Sequence, residues 1–333
     1  MEYLTVPQLV NIELTTYCPL QCKQCFAFNT RKHMPLTLAQ KIIKEIASLG
    51  VEYINISGGD PLQHPQLNII IKEASNHKVK TNIAVSGVGI TDKTLDALLS
   101  AGLHGIFISL NGSTEEINML SRDGYSIAMQ ALTNKNLLNF KIRGINWVMQ
   151  HSNTLDFPNI VKLAENLNLT HITILSKKPS LSGTLEDYPI EDDLYFMVHF
   201  IKQYHGPIQL DVDLCFSQLL ALLGKGLFIN TNTGMFKGCT AGIDSIAINV
   251  HGEYQPCRHL MIPEQWLSIS DYWNHSKILH QLRHHFDMET HTCHNCTLKY
   301  YCRPCAAISN TQKLDLSMNN TYCPLSQVNN QEE

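Results

Sequence analysis

The stretch YCPLQCKQC, at residues Tyr17 to Cys25, places three cysteines within eight residues. It directly follows the apolar run LVNIELT (9–15), whose composition is typical of a buried parallel strand. A structural zinc site and an ordinary iron–sulfur cluster each use four ligands, so this loop is one ligand short. Three thiolates can hold three irons of a [4Fe–4S] cluster, which leaves the fourth iron free to bind a small molecule.

The sequence up to residue 175 alternates short apolar runs with helical patterns. Besides the first run, strands are predicted at 53–57, 80–86, 105–110, 145–150 and 171–175. Helices are predicted between Thr37, a possible N-cap, and Gly50, and at 65–77, 91–101, 124–138 and 155–167. Repeated strand–helix units imply a parallel sheet covered by helices. Six units are too few for a closed eight-fold barrel, so we predict an α/β fold with an open, partial, TIM-like (βα)6 barrel.

Composition and charge narrow the classes of function. The chain has 333 residues, 44% of them hydrophobic, and a formal net charge of −4. This mild acidity provides no electrostatic footprint for nucleic acid or for an anionic membrane. No apolar run approaches the roughly 18 residues that span a bilayer, and the first residues lack a signal-peptide pattern. We therefore expect a cytoplasmic protein whose 11 cysteines are metal ligands rather than disulfide partners.

The cysteines fall into two groups, because none lies between Cys25 and Cys215 and eight lie from Cys215 onwards. Residues 176–190 are rich in Pro, Gly and Ser and indicate a loop, and a helix is predicted at 191–204. Short runs, turns and cysteines follow, which is typical of a small domain held by metal. We expect a barrel at 1–190, a helical bridge at 191–235 and a cysteine-rich domain at 236–333.

The spacing Cys18-x3-Cys22-x2-Cys25 after the first strand of a (βα)6 pattern resembles the radical S-adenosylmethionine (radical SAM) enzymes. The resemblance implies a [4Fe–4S] cluster whose free iron chelates the amino and carboxylate groups of SAM. It also implies that one electron cleaves SAM to methionine and a 5′-deoxyadenosyl radical, which abstracts hydrogen from a substrate. The cofactor would carry the difficult chemistry, and the protein would position it.

The segment SGGDPL (57–62) follows the second predicted strand and resembles the Gly-Gly-Glu-Pro motif of that family. The family motif meets the SAM amino group through its backbone, which makes Gly58, Gly59 and Asp60 expected SAM-binding residues. Glycines at these two positions allow close backbone approach. Asp60 stands where the family has Glu and keeps the carboxylate. On its own, such a segment is an ordinary turn.

Two further strand ends supply polar candidates for SAM contacts. ISLNG (108–112) resembles the family's Ser-Leu-Asp-Gly segment near the SAM ribose, so Ser109 and Asn111 are expected contacts. VSGVG (85–89) stands where many members have Thr-Asn-Gly, and Ser86 is the candidate there. The alternative for Ser86 is an ordinary turn at a strand end.

Other positions near these motifs have two open interpretations. Arg122 matches a frequent family arginine, but a solvated residue at a helix start would look the same. Gln24 stands where many members have an aromatic residue before the third cysteine. Lys177 and Lys178, after the sixth strand, are candidates for a SAM or substrate carboxylate, or for an exposed loop. No general acid or base is assigned.

The later cysteines resemble the SPASM extension of radical SAM enzymes, which binds two auxiliary [4Fe–4S] clusters. The pattern Cys-x12-Gly-x4-Cys spans Cys239 to Cys257, and Cys-x2-Cys-x5-Cys-x2-Cys follows, where the family commonly has x3 in the last interval. The resemblance implies a distal cluster on Cys293, Cys296, Cys302 and Cys323. It implies a proximal cluster on Cys239, Cys257 and Cys305.

The proximal cluster would then have three protein ligands. Some members add a fourth ligand shortly before the first motif cysteine, and no cysteine stands there in this chain. Cys215 could reach back, but we expect it to be a buried apolar residue. The hypothesis is an open iron that binds a substrate thiolate or amide. The rival interpretation is a four-cysteine zinc site formed by Cys293, Cys296, Cys302 and Cys305.

The resemblance to SPASM enzymes favours modification of a ribosomally made peptide. The alternative is cofactor biosynthesis on a tetrapyrrole or quinone precursor, and a different class is a non-catalytic iron–sulfur or zinc protein. Sulfatase-maturating members have an acidic residue after the Gly-x4-Cys cysteine, whereas Arg258 and His259 follow Cys257 here. About eight residues precede the first strand, so we expect leader binding by a separate protein or by another surface. An electron donor such as flavodoxin or ferredoxin is the other expected partner, with neither nucleic acid nor membrane.

Overall fold

The parallel sheet that the sequence predicts forms the centre of the computed structural model. The model describes residues 4–181, 183, 185–224, 238–284, 293, 296–299, 301–309 and 322–326. Its strands are β1 (Leu9–Thr15), β2 (Tyr53–Gly58), β3 (Lys80–Val85), β4 (Gly105–Ser109), β5 (Ile142–Met149), β6 (His171–Ser176), β7 (Gln209–Val212), β8 (Ser245–Ile248) and β9 (Tyr254–Gln255).

The strand order is β7-β6-β5-β4-β3-β2-β1-β8-β9, and every neighbouring pair is parallel except β8 and β9. The first six strands follow one another in this order, as right-handed strand–helix units do. Within the described residues the two ends of the order do not pair with each other, so the sheet is open. The predicted partial α/β barrel is thereby confirmed.

Helices cover the sheet in the order of the chain. They are α1 (Leu36–Ser48), α2 (Leu67–Asn76), α3 (Asp92–Ala101), α4 (Glu115–Met119), α5 (Tyr125–Leu132), α6 (Phe157–Asn166), α7 (Glu191–Gln203), α8 (Ser217–Leu223), α9 (Ile269–His275), α10 (Lys277–His284) and α11 (Ala306–Ser309). The predicted cap of α1 is wrong, because the helix begins one residue before Thr37 and its N-cap is Pro35. Proline pre-sets the backbone angle there, and no side chain caps this end.

Strand β8 joins the C-terminal part of the chain to the barrel sheet. It pairs in parallel with β1, from Leu9 opposite Ser245 to Ile12 opposite Ile248. The whole strand is buried. The segment 191–235, which we expected to be a helical bridge, contains β7 as well as α7 and α8. The three-part domain division stays a prediction.

None of the helices in the described ranges has the length and apolar content that crossing a membrane requires.

Truncating β8 should destabilise the whole sheet. Ile248 is fully buried, so Ile248→Ala should lower the free energy of unfolding by about 2–5 kcal/mol through lost burial and a cavity. Chemical denaturation followed by fluorescence of Trp147, which is buried on β5, measures the effect in a Trp266→Phe/Trp273→Phe background that leaves one tryptophan. The control Leu267→Ala, at a side chain that is 88% exposed, should change the value by less than about 0.5 kcal/mol. If the denaturation transition of Trp147 is the same in Ile248→Ala as in the parent protein, β8 does not unfold cooperatively with the barrel.

Candidate functional site

The three-cysteine loop leaves the sheet at the carboxyl end of β1. A register shift between Glu13 and Thr15 against β2 marks this end. The backbone N–H of Cys25 donates to the Cys22 carbonyl at 3.1 Å, so the loop turns tightly between these two residues. Carboxyl ends of parallel strands in barrels form the face that carries active sites.

The thiols of this loop lie at the surface of the site. Cys25 is exposed, and Cys18 and Cys22 are half-buried. Burial raises the pKa of Cys18 to about 11, with further increases from Asp60 and Cys22, while the Leu20 backbone N–H opposes them. Metal ligation takes the thiolate form, so an iron in this loop would replace the proton on Cys18.

The Gly58-Gly59-Asp60 turn crosses directly over the start of the cysteine loop. The N–H of Gly59 donates to the Thr15 carbonyl at 2.7 Å, and the N–H of Asp60 donates to the Tyr17 carbonyl at 2.8 Å. A side chain on Gly58 would collide with the Thr15 carbonyl, and Gly58 has a φ of +140°. Only glycine satisfies both conditions. The close backbone approach for which the sequence predicts a glycine therefore occurs between this turn and the end of β1.

Asp60 and Ser86, both predicted SAM-binding residues, lie against each other. One carboxylate oxygen of Asp60 accepts hydrogen bonds from the Ser86 backbone N–H at 3.1 Å and from the Ser86 hydroxyl. The other oxygen accepts from the Leu62 N–H at 3.0 Å. Burial raises the pKa of Asp60, and these hydrogen bonds oppose the shift. The pair fixes the glycine turn to the end of β3.

Arg122 connects the fourth strand to the first cysteine. Its Nε donates to the Ser109 carbonyl at 3.1 Å, and its charge acts on both Cys18 and Asp60. The side chain is half-buried. Between the two open interpretations, the contacts favour a residue of the site over a solvated helix start.

Asn111 reaches the same edge of the sheet, but protein groups occupy its side chain. Its Nδ2 donates to Gln24 Oε1 and to Ser121 Oγ, both at 2.8 Å. Its Oδ1 accepts from the Val148 N–H at 3.1 Å. A ribose contact by this amide would have to displace one of these partners. For Ser109, the backbone carbonyl is the group with a contact in this region.

A buried polar chain links the cysteine loop to the fifth and sixth strands. Lys177 Nζ donates to Gln150 Oε1 at 2.5 Å, and Gln150 Nε2 donates to Gln24 Oε1 at 3.2 Å. Burial lowers the pKa of Lys177. The sequence singled out neither Gln150 nor the contact with Gln24. Gln150 directly follows β5, which was the one available signal for it, whereas Gln24 lies within the cysteine loop.

Lys178 is buried too, so the exposed-loop interpretation of Lys177 and Lys178 is wrong. Lys178 Nζ lies 3.7 Å from Asp213 Oδ2 and donates to the Ser176 carbonyl at 3.3 Å. Burial alone would lower its pKa, but Cys305, Cys215 and Asp213 raise it overall. The ammonium group therefore stays charged beside these thiols.

The two residues after Cys257 reach the first cysteine loop. Arg258 donates from Nη2 to the Gly58 carbonyl at 3.2 Å, and its guanidinium carbon lies 4.9 Å from the centre of the Phe26 ring. The ring of His259 lies 4.1 Å from the same ring, between centroids. Burial and the cations Lys178 and Arg258 lower the pKa of His259, so the imidazole is neutral at neutral pH.

The thiols expected at the proximal cluster come together, and a further cysteine joins them. The thiols of Cys215, Cys239 and Cys305 are close enough to shift one another's pKa. Cys257 is an electrostatic neighbour of Cys239 and Cys305. Cys215 is half-buried and packs against the hydrophobic core, in line with the expectation of an apolar residue, and it also lies near these thiols. Its distance in sequence from the motif cysteines hid this contact.

The thiols expected at the distal cluster also lie near one another. Cys302 Sγ donates to Ser217 Oγ at 3.3 Å, and Cys323, Cys293 and Cys296 act on it electrostatically. Burial raises the pKa of Cys302 to about 12. Among the described residues, no three His, Cys, Asp or Glu side chains are arranged as ligands of one metal ion. The assignment of these cysteines as cluster ligands therefore rests on the chemistry of their thiols and on their proximity to one another.

Comparison with known proteins gives three matches of different extent. Residues 12–164 match the family model described as Radical SAM superfamily. AdoMet-dependent heme synthase of Methanosarcina barkeri is 23% identical over 95% of this chain and 96% of that protein. PqqA peptide cyclase of Ruegeria pomeroyi is 31% identical over 51% of this chain and 48% of the cyclase. The matching segment thus spans about half the length of the cyclase.

Among solved structures, the chain is similar to Streptococcus suis SuiB bound to its precursor peptide SuiA. The TM-score is 0.78 at 18% identity, covering 96% of this chain and 76% of SuiB. At this identity the likeness concerns the fold alone. Together with the family match and the cysteine loop at the carboxyl edge of the sheet, it leads to one conclusion. Residues 12–164 form a Radical SAM superfamily domain.

Proposed function

We propose that this protein is a radical SAM enzyme that cleaves SAM reductively and abstracts hydrogen from a substrate. The observation that carries the proposal is the meeting of the cysteine loop with the Gly58-Gly59-Asp60 turn and Arg122 at one edge of the sheet. When bound, a [4Fe–4S] cluster and SAM supply the 5′-deoxyadenosyl radical. The chain's own residues bind these groups, orient them and limit the access of water.

The roles of the residues follow from their contacts. Cys18, Cys22 and Cys25 would hold three irons of the cluster. The turn at Gly58 and Gly59 would present its backbone to the SAM amino group, and Asp60 and Ser86 would hold that turn in place.

Cations and polar groups at the neighbouring strand ends would orient the rest of SAM. Arg122 has guanidinium donors besides the Nε that binds Ser109, and these suit the SAM carboxylate. Ser109 and Asn111 remain candidates near the ribose.

The thiols of the C-terminal region would hold two auxiliary clusters in a SPASM-like domain. For the distal cluster we propose Cys293, Cys296, Cys302 and Cys323 as ligands. For the proximal cluster we propose at least Cys239, Cys257 and Cys305. Their proximity to one another supports both sets. Redox-neutral hydrogen abstraction needs no auxiliary cluster, so these sites favour an oxidative reaction.

A ribosomally made peptide is the proposed substrate, and a cross-link, an oxidation or a decarboxylation is the proposed change. Similarity to PqqA peptide cyclase and to the fold of SuiB in complex with its precursor peptide supports this substrate class. A separate leader-recognition protein and an electron donor such as flavodoxin or ferredoxin are the proposed partners. A cytoplasmic location stays a prediction.

A tetrapyrrole precursor is the second candidate substrate. The observation that favours it is the match to a heme synthase along almost the whole chain. Tetrapyrrole precursors carry carboxylates, and the cation Arg258 lies beside the first cysteine loop, where it contacts Phe26 and pairs with Glu13 at 3.9 Å.

One reaction, run in parallel arms, tests the proposed function. Anaerobically reconstituted protein is supplied with SAM, dithionite and either a short peptide encoded beside its gene or coproporphyrin. We expect a mass change in the peptide, matched by 5′-deoxyadenosine, and no change in the porphyrin. A changed porphyrin with an unchanged peptide would establish the second candidate. Iron-loaded protein that never forms 5′-deoxyadenosine would indicate a non-catalytic iron–sulfur protein.

Removing the cysteine triad should remove one cluster. In Cys18→Ala/Cys22→Ala/Cys25→Ala, iron should fall from about twelve to about eight per chain, because one of three cubanes loses its ligands. Formation of 5′-deoxyadenosine should vanish, since SAM then has no iron to bind. Iron and zinc analysis and chromatography of the products measure both effects.

Phe28→Ala is the matched control, because Phe28 is an exposed side chain in the same loop and no thiol is lost. Its iron content should equal that of the parent protein. Zinc in place of iron in the parent, or equal iron in the triple variant, would contradict the assignment of the loop.

Replacing Arg122 should weaken SAM binding without removing the cluster. Arg122→Met should raise the dissociation constant of SAM about tenfold to a hundredfold, the value of one hydrogen bond to a charged group. Arg122→Lys should recover part of the loss because it keeps the charge. The change that SAM causes in the electron paramagnetic resonance spectrum of the reduced cluster measures the dissociation constant.

The control variant is Lys141→Met, which removes an exposed cation at the amino-terminal end of β5, at the edge of the sheet opposite to the cysteine loop. It should leave the dissociation constant of SAM unchanged. Equal affinities of Arg122→Met and the parent would exclude a SAM contact.

A further inference from the structure

We propose that Lys177 binds a carboxylate of the substrate beside the cysteine loop. The inference rests on the proposed function, because it presupposes that a substrate reacts at this edge of the sheet. It deepens that function, because it names a chemical group that the substrate carries and the residue that recognises it. Lys177 has no role in the proposed function otherwise.

Lys177 is a buried cation without an anionic partner. Only 8% of the residue is exposed. Its Nζ donates to Gln150 Oε1 at 2.5 Å, and this partner is a neutral amide. None of the carboxylates among the described residues forms an ion pair with Lys177. A buried ammonium group without a counter-charge is unfavourable, so an anionic ligand would be stabilised here.

The acidic residues closest to Lys177 do not take this place. Glu186 and Asp187 act on Lys177 through their charge, but at a longer range than an ion pair. Both carboxylate oxygens of Asp187 accept hydrogen bonds from Ser152, at 2.9 Å from its backbone N–H and at 2.6 Å from its hydroxyl. Glu186 is exposed to solvent. An ammonium group has three donors, and Gln150 occupies one of those of Lys177.

The ammonium group lies beside the cysteine loop. Lys177 directly follows β6, and Gln150 directly follows β5. Gln150 Nε2 donates to Gln24 Oε1 at 3.2 Å, within the cysteine loop. A few residues after Lys177, the Leu181 N–H donates to the Cys25 carbonyl at 3.2 Å. The segment after β6 therefore runs along the third cysteine, on the face that carries active sites in parallel barrels.

Two partners fix the side chain that holds Lys177. An ammonium group only donates, so the Gln150 atom that meets it is the amide oxygen. The amide nitrogen then faces Gln24 Oε1, which accepts its hydrogen bond. Gln150 is 1% exposed and cannot turn freely. Lys177 is thereby held in one position, as a residue that recognises one group of a ligand must be.

The position of Lys177 favours the substrate over SAM as the source of the carboxylate. Arg122, the residue proposed for the SAM carboxylate, is anchored on the Ser109 carbonyl at the end of β4. Strand β5 lies between β4 and β6, so the strands that anchor the two cations are about 10 Å apart. Two separate cations suit two carboxylates, and SAM has one.

The consequence is a criterion for the substrate. A peptide would present the carboxylate of an Asp or Glu side chain, or of its C-terminus, close to the carbon that loses hydrogen. A tetrapyrrole precursor would meet the criterion through its own carboxylates. Neither substrate should react well once these carboxylates are neutralised.

The test measures binding to full-length protein that is reconstituted anaerobically and supplied with SAM but no reductant, so that no turnover occurs. The probes are the short peptide encoded beside the gene and coproporphyrin, each with free carboxylates and with its carboxylates converted to amides. Fluorescence titration compares the parent with Lys177→Met and Lys177→Arg. The matched control is Lys162→Met, which removes an exposed lysine of α6.

We expect the parent to bind the acid form of one probe about tenfold to a hundredfold more tightly than the amide form. Lys177→Met should lose this preference through weaker binding of the acid, with unchanged binding of the amide. A merely structural role of Lys177 would weaken both forms alike. Lys177→Arg should keep part of the preference because it keeps the charge. Lys162→Met should match the parent.

The cluster and its SAM site provide the second readout. Iron content should be equal in all four proteins. In separate reduced samples, the dissociation constant of SAM, measured by electron paramagnetic resonance, should also be equal. Weaker SAM binding by Lys177→Met, with unchanged binding of the probes, would assign Lys177 to the SAM carboxylate and overturn the inference.

Two further results would overturn the inference. One is a parent that binds neither probe, or binds the acid and amide forms equally, which can be observed even if Lys177→Met does not fold. The other is a Lys177→Met protein that keeps the preference of the parent for the acid form. Failure of the proposed function is seen separately, as iron-loaded parent protein that forms no 5′-deoxyadenosine once reductant is added.

Discussion

The crossing of β1 by the Gly58-Gly59 turn is the contact on which both thiol regions depend. The turn donates backbone hydrogen bonds to the Thr15 and Tyr17 carbonyls, immediately before the first cysteine. Its own carbonyl, at Gly58, accepts from Arg258, immediately after a proximal thiol. One glycine without a side chain thus allows three segments to meet. The parallel pairing of β1 with β2 and with β8 carries these segments to the same edge of the sheet.

The sequence predicts those parts of the fold whose signal is local. Six strands and most of the helices follow from apolar periodicity over five or more residues. Strands β7, β8 and β9 have only four, four and two residues, too few for a periodic pattern. They form because neighbouring strands supply the hydrogen bonds, and β8 is buried on both faces only after it has paired with β1.

The same division applies to the site. A spacing motif is local, so Cys18, Cys22 and Cys25 could be assigned from the sequence. The hydrogen bond between Gln24 and Gln150 joins residues that are 126 positions apart, and the one between Gln150 and Lys177 joins residues that are 27 positions apart. No spacing motif predicts such contacts. The position of Cys215 near the motif thiols could not be predicted for the same reason, because those thiols come from other segments. Side chains whose role depends on tertiary contact need the structure.

The region between the two groups of cysteines is rich in cations. The chain as a whole is mildly acidic, yet Arg122, Lys178, Arg258 and Arg303 converge on the cysteines. Bringing four cations to one half-buried region is unfavourable unless anions come with them. Each of the four cations has a carboxylate near it. Glu13 lies 3.9 Å from Arg258 and Asp213 lies 3.7 Å from Lys178. Asp60 interacts with Arg122, and Asp244 interacts with Arg303. This pairing lets the cations lie beside the cysteines, and removing one carboxylate would destabilise the region because it would leave a cation there uncompensated.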